Sequence, residues 1–188
     1  MIDRKFKIEV FNNYQEIADY VRSIILVEVV SESFNLALSG GSTPRTVYSF
    51  LSEFKKPHIP WERIKFFWGD ERCVSPDNPE SNYLMAKESL LDKIDIANDQ
   101  VFRIKGENDP EAERERYNNI VLANTKGIID LMFLGLGTDG HTASIFPNQM
   151  ELLKTEEVCA VAVHPVSGQF RITLTGHIIN ASKKILFL

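Results

Sequence analysis

Short apolar runs of strand length alternate along this chain with helical stretches, and three of these runs end in polar segments that contain glycine. The three runs are Phe34–Leu38, Ile64–Trp68 and residues 128–134. Regular alternation of strands and helices is typical of α/β proteins with a mostly parallel sheet. We therefore predict a three-layer, Rossmann-like α/β fold in which helices cover both faces of a mostly parallel central sheet.

The place where these strands end predicts where the functional site lies. Ligands of such folds bind beyond the carboxyl ends of the parallel strands. The glycine-bearing segments that follow the three runs begin at Ser39, Gly69 and Gly135. If the three strands are parallel neighbours, these segments meet at one edge of the sheet, and we expect the chemistry to be there.

Weaker patterns predict the remaining elements. Additional strands are expected at residues 6–11, 158–163, 170–175 and 185–188. Helices are expected at residues 14–30, from Thr43 onward, from Ser81 to about Ile94, and at residues 109–123. Thr43 is the expected N-cap of the second helix, with Pro44 at its first position, where the missing N–H costs no hydrogen bond.

Composition and charge exclude several classes of protein. The chain has 188 residues and a formal net charge of −5, whereas a general nucleic-acid-binding protein carries a basic excess. Hydrophobic residues make up 44%, which is too many for a disordered chain. The length fits a single domain, so we expect one α/β domain that spans residues 1–188.

Signals for export or membrane insertion are not visible in the sequence. No apolar region follows the charged start of the chain, as it would in a signal peptide. The apolar stretch at residues 24–30 is short and contains Glu28, so it is no membrane span. Cys73 and Cys159 are expected to be reduced thiols. We expect a cytoplasmic protein without a membrane or nucleic-acid partner.

The first glycine-bearing segment has the composition of a phosphate-binding turn. It consists of Ser39, Gly40, Gly41, Ser42 and Thr43. Glycines let the backbone approach a ligand closely, and the N–H groups at the start of the following helix favour an anion. An ordinary strand-to-helix turn is the alternative, and the segment by itself does not distinguish the two.

The second segment places charged side chains at a strand end. Arg72 can hold a phosphate or a developing oxyanion, and Asp70 can accept hydrogen bonds from sugar hydroxyls. The alternative is a solvated cluster of ion pairs, which is common for charges in loops.

The third segment contains the candidate general base. His141 follows the most apolar strand and two glycines, and a histidine side chain titrates close to neutral pH, where it can take a proton from water. Asp139, two residues earlier in the chain, can orient the imidazole or fix the loop. The spacing Gly135-x-Gly137-x-x-Gly140 also matches a dinucleotide-binding fingerprint, but Pro147 stops a following helix after two turns at most.

Taken together, these segments resemble the 6-phosphogluconolactonase family. The resemblance rests on residues 39–44, residues 68–72 with residues 81–83, residues 135–147 and residues 171–175, in matching order and spacing. It covers most of the chain from about Asn35 onward, and the third segment is long and specific. The related glucosamine-6-phosphate deaminases usually have Asp-Glu-Tyr where this chain has Asp70-Glu71-Arg72, and Asn-Glu-Pro where it has Ile145-Phe146-Pro147.

The resemblance implies a reaction and a role for each candidate residue. It implies hydrolysis of 6-phosphogluconolactone to 6-phosphogluconate in the oxidative pentose phosphate pathway, with no metal or organic cofactor. His141 is then the general base and Asp139 its orienting partner. Arg72 stabilises either the oxyanion or the phosphate, a choice that the sequence leaves open. The residues implied for substrate binding are Ser39, Gly40, Gly41, Ser42, Thr43, Asp70, Gly140 and Arg171, with Arg171 on the phosphate.

Two alternatives and one expectation about length remain open in the sequence. The alternatives are a deaminase or isomerase of the same fold and a non-catalytic sugar-phosphate sensor. Family members usually continue past the strand corresponding to residues 185–188 into a Gly-x-x-Lys turn and a closing helix. We therefore expect that these 188 residues lack a C-terminal segment. The oligomeric state is left open, a monomer included.

Overall fold

The computed structural model describes residues 6–29, 33–54 and 58–188, which form seven strands and five α-helices. In chain order the strands are β1 (Phe34–Leu38), β2 (Ile64–Trp68), β3 (Asp70–Arg72), β4 (Leu131–Leu134), β5 (Cys159–Val163), β6 (Phe170–Leu174) and β7 (Lys184–Phe187). The α-helices are α1 (Tyr14–Glu28), α2 (Ser42–Glu53), α3 (Asn82–Ser89), α4 (Pro110–Thr125) and α5 (Gly176–Ala181).

Four strands form a parallel central sheet in the order β2-β1-β4-β7. Leu36 of β1 pairs with Phe66 of β2 on one side and with Leu131 of β4 on the other, and all the pairings in this sheet are parallel. All five residues of β1 are buried, as expected for a strand covered on both faces. The predicted fold class, a mostly parallel central sheet with helices around it, is confirmed.

A second, antiparallel sheet in the order β3-β6-β5 was not predicted. The sequence pattern predicted β5 and β6 as strands but gave no information on which sheet they join. Gly69, between β2 and β3, connects the two sheets through its own backbone. Its N–H donates to the Leu38 carbonyl at 2.9 Å, and its carbonyl accepts from the Leu174 N–H at 2.8 Å.

Side chains cap the first turns of α1, α3 and α4. The Asn13 side chain accepts from the Glu16 N–H at the start of α1, and Asp109 accepts from the Glu111 and Ala112 N–H groups at the start of α4. The predicted helix at residues 14–30 is confirmed as far as Glu28, while Val30 lies outside the described residues. In the described part of the chain, no helix is long and apolar enough to cross a membrane.

The predicted strand at residues 6–11 is wrong. These residues form no strand, and the side chains of Phe6, Ile8 and Val10 are 90%, 79% and 89% exposed. An alternating pattern produces a stable strand only where a neighbouring strand accepts its hydrogen bonds. No described strand pairs with this segment, so the pattern alone was insufficient.

Two helix boundaries also differ from the prediction. Gly41, with φ +112°, is the N-cap of α2, and no side chain caps that helix. Thr43 therefore lies within the first turn, and Pro44 occupies the third helical position, where no intrahelical hydrogen bond is lost. Ser81 caps α3 as predicted, through a hydrogen bond from the Leu84 N–H, but α3 ends at Ser89 instead of near Ile94.

Two buried tyrosines fix the carboxyl ends of neighbouring strands. The Tyr48 hydroxyl of α2 accepts from the Ser39 N–H at 3.0 Å and donates to the Ser39 carbonyl at 3.1 Å. The Tyr117 hydroxyl of α4 does the same for Trp68, at 2.8 and 2.9 Å. Burial raises the pKa of both phenols above the ordinary range, so both hydroxyls stay protonated donors.

Tyr48→Phe should destabilise the fold by about 1–3 kcal/mol, because it leaves the buried N–H and carbonyl of Ser39 without their partner. The measurement is the free energy of unfolding in urea. Tyr14→Phe is the matched control, since Tyr14 is exposed and its variant should stay within about 0.5 kcal/mol of the wild type. Equal stability of the Tyr48 and Tyr14 variants would show that the hydroxyl does not fix the strand end.

Candidate active site

A cavity of about 200 Å³ lies at the carboxyl edge of the parallel sheet, where the three predicted segments meet. Seven of the predicted site residues line it: Ser39, Gly40, Gly41, Asp70, Arg72, His141 and Arg171. The cavity thus combines the ends of β1, β2 and β4 with one residue of β6. A larger cavity of about 460 Å³, between α3 and α4, contains none of the predicted residues.

Four predicted residues do not line the cavity. Ser42 and Thr43 belong to the first turn of α2, and Gly140 is exposed in the turn before His141. Asp139 reaches the site through its contact with His141. A binding role for Ser42, Thr43 and Gly140 therefore stays a prediction, because these residues lie beside the cavity and not in its wall.

His141 and Asp139 form a hydrogen-bonded pair at the mouth of the cavity. The His141 Nδ1 atom lies 2.6 Å from Asp139 Oδ1, and the His141 backbone N–H donates to the same oxygen at 3.2 Å. Because a carboxylate only accepts, Nδ1 carries the proton in this pair, which leaves Nε2 with the lone pair of a base. The hydrogen bond from His141 lowers the pKa of the Asp139 carboxyl, so the carboxylate stays charged into the acid range.

The backbone of Gly137 lies close against this pair. Its N–H donates to the His141 carbonyl at 2.8 Å. A Cβ atom at this position would lie 2.2 Å from His141 Nδ1 and 2.7 Å from Asp139 Oδ1. The imidazole can occupy its place only because residue 137 has no side chain.

The buried ring of Phe146 packs against two of the candidate residues. It is 1% exposed, and its centroid lies 5.0 Å from the His141 ring and 5.7 Å from the guanidinium carbon of Arg171. The Phe146 ring therefore contacts both the imidazole and the guanidinium.

Asp70 is buried and already has two protein partners. Its Oδ2 accepts from the Ser144 hydroxyl at 2.6 Å, and Asn82 Nδ2 lies 3.3 Å from Oδ1 and 3.0 Å from the Asp70 carbonyl. A carboxylate has about four acceptor positions, so Oδ1 can still receive one hydroxyl from a ligand. Sequence reasoning gave no role to Asn82 or Ser144. Asn82 and Ser144 lie in the segments 81–83 and 135–147, but their separation from Asp70 in the sequence gave no indication that they contact it.

Glu71 points away from the cavity and organises α3. Its carboxylate accepts from the N–H groups of Arg72, Asn82 and Tyr83 and from the Ser81 hydroxyl, at 2.7–2.9 Å. Burial raises the pKa of the Glu71 carboxyl, and these four hydrogen bonds oppose that increase by favouring the charged form. A buried anion at the start of a helix is also stabilised by the helix dipole.

Arg72 and Arg171 lie opposite each other on the antiparallel strands β3 and β6. Their Nε atoms are buried and have no hydrogen-bond partner, and within the described residues neither guanidinium forms an ion pair. Burial and the neighbouring charge of Arg72 lower the pKa of Arg171. Two unneutralised cations side by side create a strong preference for an anion.

The cavity offers neither a thiol nucleophile nor a visible set of metal ligands. Burial, with the nearby Glu71 carboxylate, raises the pKa of the Cys73 thiol to about 11, so little thiolate exists at neutral pH. Across residues 6–29, 33–54 and 58–188 no three His, Cys, Asp or Glu side chains are grouped as a metal ion requires. The charged or titratable side chains that line the cavity are those of His141, Asp70, Arg72 and Arg171.

Comparison with known proteins shows the family of the chain. The family model described as glucosamine-6-phosphate isomerases/6-phosphogluconolactonase matches residues 13–188. The chain belongs to this family. All three glycine-bearing segments, and Arg171 with them, lie inside the matched region.

Several relatives in the family are similar over most of their length. The 6-phosphogluconolactonase of Treponema pallidum (strain Nichols) is 40% identical over 185 residues, which cover 95% of this chain and 77% of the relative. The protein of the same name from Haemophilus influenzae is 38% identical over 173 residues, covering 89% and 72%. The crystal structure of 6-phosphogluconolactonase from Thermotoga maritima superposes with a TM-score of 0.81 at 31% identity, covering 90% and 78%.

Gly137→Ala should displace the His141 imidazole and break its hydrogen bond to Asp139, because the new methyl group occupies the position of the ring. NMR of the His141 side chain measures this: the hydrogen-bonded Nδ1 proton should be detected in the wild type and lost in the variant. Gly135→Ala is the matched control, since a Cβ at residue 135 meets no atom within 4 Å. An unchanged Nδ1 resonance in Gly137→Ala would contradict the described packing.

Proposed function

We propose that this chain hydrolyses 6-phospho-D-glucono-1,5-lactone to 6-phospho-D-gluconate, the lactone-opening reaction of the oxidative pentose phosphate pathway. The family and the names of the relatives support this assignment. The observation that carries it is the presence, in one cavity, of a histidine oriented by a carboxylate and an arginine pair without an acidic partner. An enzyme that hydrolyses a phosphorylated lactone needs a base to activate water and a cationic site to bind the phosphate.

The first chemical step is the attack of water on the lactone carbonyl carbon. His141 Nε2 takes one proton from the water molecule while the oxygen forms the new bond to carbon, and the carbonyl oxygen becomes an oxyanion. Asp139 keeps the proton on Nδ1 and stabilises the imidazolium that forms. Asp139 must be charged to stabilise the imidazolium, and the lowered pKa of its carboxyl is consistent with this.

The second step is collapse of the tetrahedral intermediate. The carbonyl re-forms, the bond between carbon and the ring oxygen breaks, and the imidazolium returns its proton to that oxygen. The products are a hydroxyl group and a carboxylic acid, which ionises and releases one proton to solvent. Backbone N–H groups of the glycine-bearing loops, or Arg72, stabilise the oxyanion between the two steps.

Arg171 is the proposed ligand of the phosphate, and Arg72 either joins it there or stabilises the oxyanion. Their guanidiniums are adjacent, and their buried Nε–H donors have no protein partner. Arginine donors match phosphate oxygens well, and the side-chain hydroxyl of Ser39 is also buried in the cavity wall without a partner. The remaining acceptor position on Asp70 suits a sugar hydroxyl.

We also propose that the protein acts in the cytoplasm. Cys73 and Cys159 are both free thiols in the structure, which supports a reducing compartment.

The assay that tests the function is acid release from freshly prepared 6-phosphogluconolactone, corrected for spontaneous hydrolysis. We expect the folded chain to accelerate this release. Ammonia release from glucosamine 6-phosphate, with no lactone turnover, would favour a deaminase. Tight binding of both sugar phosphates with no turnover of either would favour a sensor.

His141→Ala should lower kcat about 10²–10⁴-fold and change KM much less, because the imidazole moves protons and does not hold the phosphate. The measurement is steady-state kinetics of lactone hydrolysis. His177→Ala is the matched control, because His177 is an exposed histidine in α5 away from the cavity. Wild-type kcat in His141→Ala would remove this residue from the role of base.

Arg171→Ala should raise KM about 10- to 100-fold with little change in kcat, since it removes charged hydrogen bonds to the phosphate. Arg63→Ala is the control for loss of one exposed positive charge, because Arg63 precedes β2 at the opposite end of the strand. In Arg72→Ala, a raised KM indicates phosphate binding, whereas a lower kcat at constant KM indicates a role at the oxyanion. An unchanged KM in Arg171→Ala would contradict its assignment.

A further inference from the structure

A single glutamine connects the arginine pair to the neighbouring loop. Gln169, just before β6 on the same chain segment as Arg171, is half-buried. Arg171 Nη2 donates to Gln169 Oε1 at 3.3 Å, and Gln169 Nε2 donates to Glu80 Oε2 at 3.1 Å. Because the Glu80 carboxylate only accepts, it fixes the orientation of the amide, with the oxygen facing Arg171.

Glu80 is connected to both members of the arginine pair. Its backbone carbonyl accepts a short hydrogen bond from Arg72 Nη1, while its carboxylate is bound to Gln169. The two guanidiniums are thus held from the same residue, one directly and one through the amide. Both arginines line the cavity, and their buried Nε–H groups have no partner.

The amide separates the Glu80 carboxylate from Arg171. If that carboxylate bound Arg171 directly, the two charges would neutralise each other and compete with an anionic ligand. Gln169 instead satisfies one guanidinium donor with a neutral oxygen. Among the described residues, no carboxylate lies within ion-pair distance of Arg171.

We propose that Gln169 is a positioning residue of the anion site, which orients Arg171 through a neutral acceptor and keeps its charge available for the phosphate of the substrate. The inference rests on the proposed binding of phosphate by Arg171. We expect affinity for a phosphorylated ligand to depend on which of Gln169 and Glu80 carries the negative charge. The presence of the hydrogen bond between these two side chains is not sufficient.

A charge-swap variant tests this dependence. Glu80→Gln combined with Gln169→Glu keeps the composition, the net charge and the amide–carboxylate bridge, but it moves the carboxylate onto Arg171. We expect the dissociation constant for 6-phosphogluconate, measured by calorimetry, to rise about tenfold. KM for the lactone should rise similarly, with kcat within about threefold of the wild type. The midpoint of thermal unfolding should stay unchanged.

Gln169→Leu separates the contact from the charge. This variant removes the hydrogen bonds but adds no carboxylate, so we expect a smaller loss of affinity than in the charge-swap variant, about two- to threefold. Wild-type affinity for 6-phosphogluconate in the charge-swap variant would overturn the proposal. An equal loss in both variants would also overturn it, because the bridge alone would then explain the effect.

The binding measurement is independent of turnover, which keeps this proposal distinct from the proposed function. If the wild type binds 6-phosphogluconate but does not hydrolyse the lactone, the function fails while the charge-swap comparison still decides the role of Gln169. If the wild type binds neither 6-phosphogluconate nor inorganic phosphate, there is no anion site and the role of Gln169 is overturned with it.

Discussion

The site depends on the backbone hydrogen bonds of Gly69, which join two sheets of different topology. The segments after β1 and β4 come from the parallel sheet, and the antiparallel sheet supplies Asp70, Arg72 and Arg171. Through its N–H to Leu38 and its carbonyl to Leu174, Gly69 fixes the angle at which the chain leaves one sheet and enters the other. Strand β3 begins at Asp70, directly after Gly69, and its pairing with β6 places Arg72 opposite Arg171.

The three charged side chains of β3 point alternately to two sides of the strand, where they make different contacts. Successive side chains of a strand point to opposite sides. Asp70 and Arg72 line the cavity, whereas Glu71 points to the start of α3 and accepts four hydrogen bonds there. An acidic pair in sequence is therefore no catalytic dyad here. One carboxylate contacts the site, and the other holds the helix that supplies Asn82.

Local signals predicted the parallel part of the fold well. Strands β1 and β2 match the predicted boundaries to the residue, because buried parallel strands are continuous apolar runs with a clear end. The rule that ligands bind at their carboxyl ends then located the cavity. The segment at residues 6–11 shows the limit of such signals, because its alternation says nothing about a pairing partner. The contacts of Ser144 with Asp70 and of Gln169 with Arg171 were equally hidden, since they depend on side-chain geometry around the second sheet.

The pairing of β3 with β6 also sets the order in which the protein can mature. Arg72 is synthesised early, whereas Arg171, which lies opposite it on β6, comes from a much later part of the chain. Contacts between such distant segments form slowly, because a long loop must close before they contribute. During synthesis the parallel strands β1 and β2 can pair before the arginine pair is assembled. A nascent chain can therefore pair β1 with β2 before both arginines are present, whereas β7, which completes the parallel sheet, follows β6 in the chain.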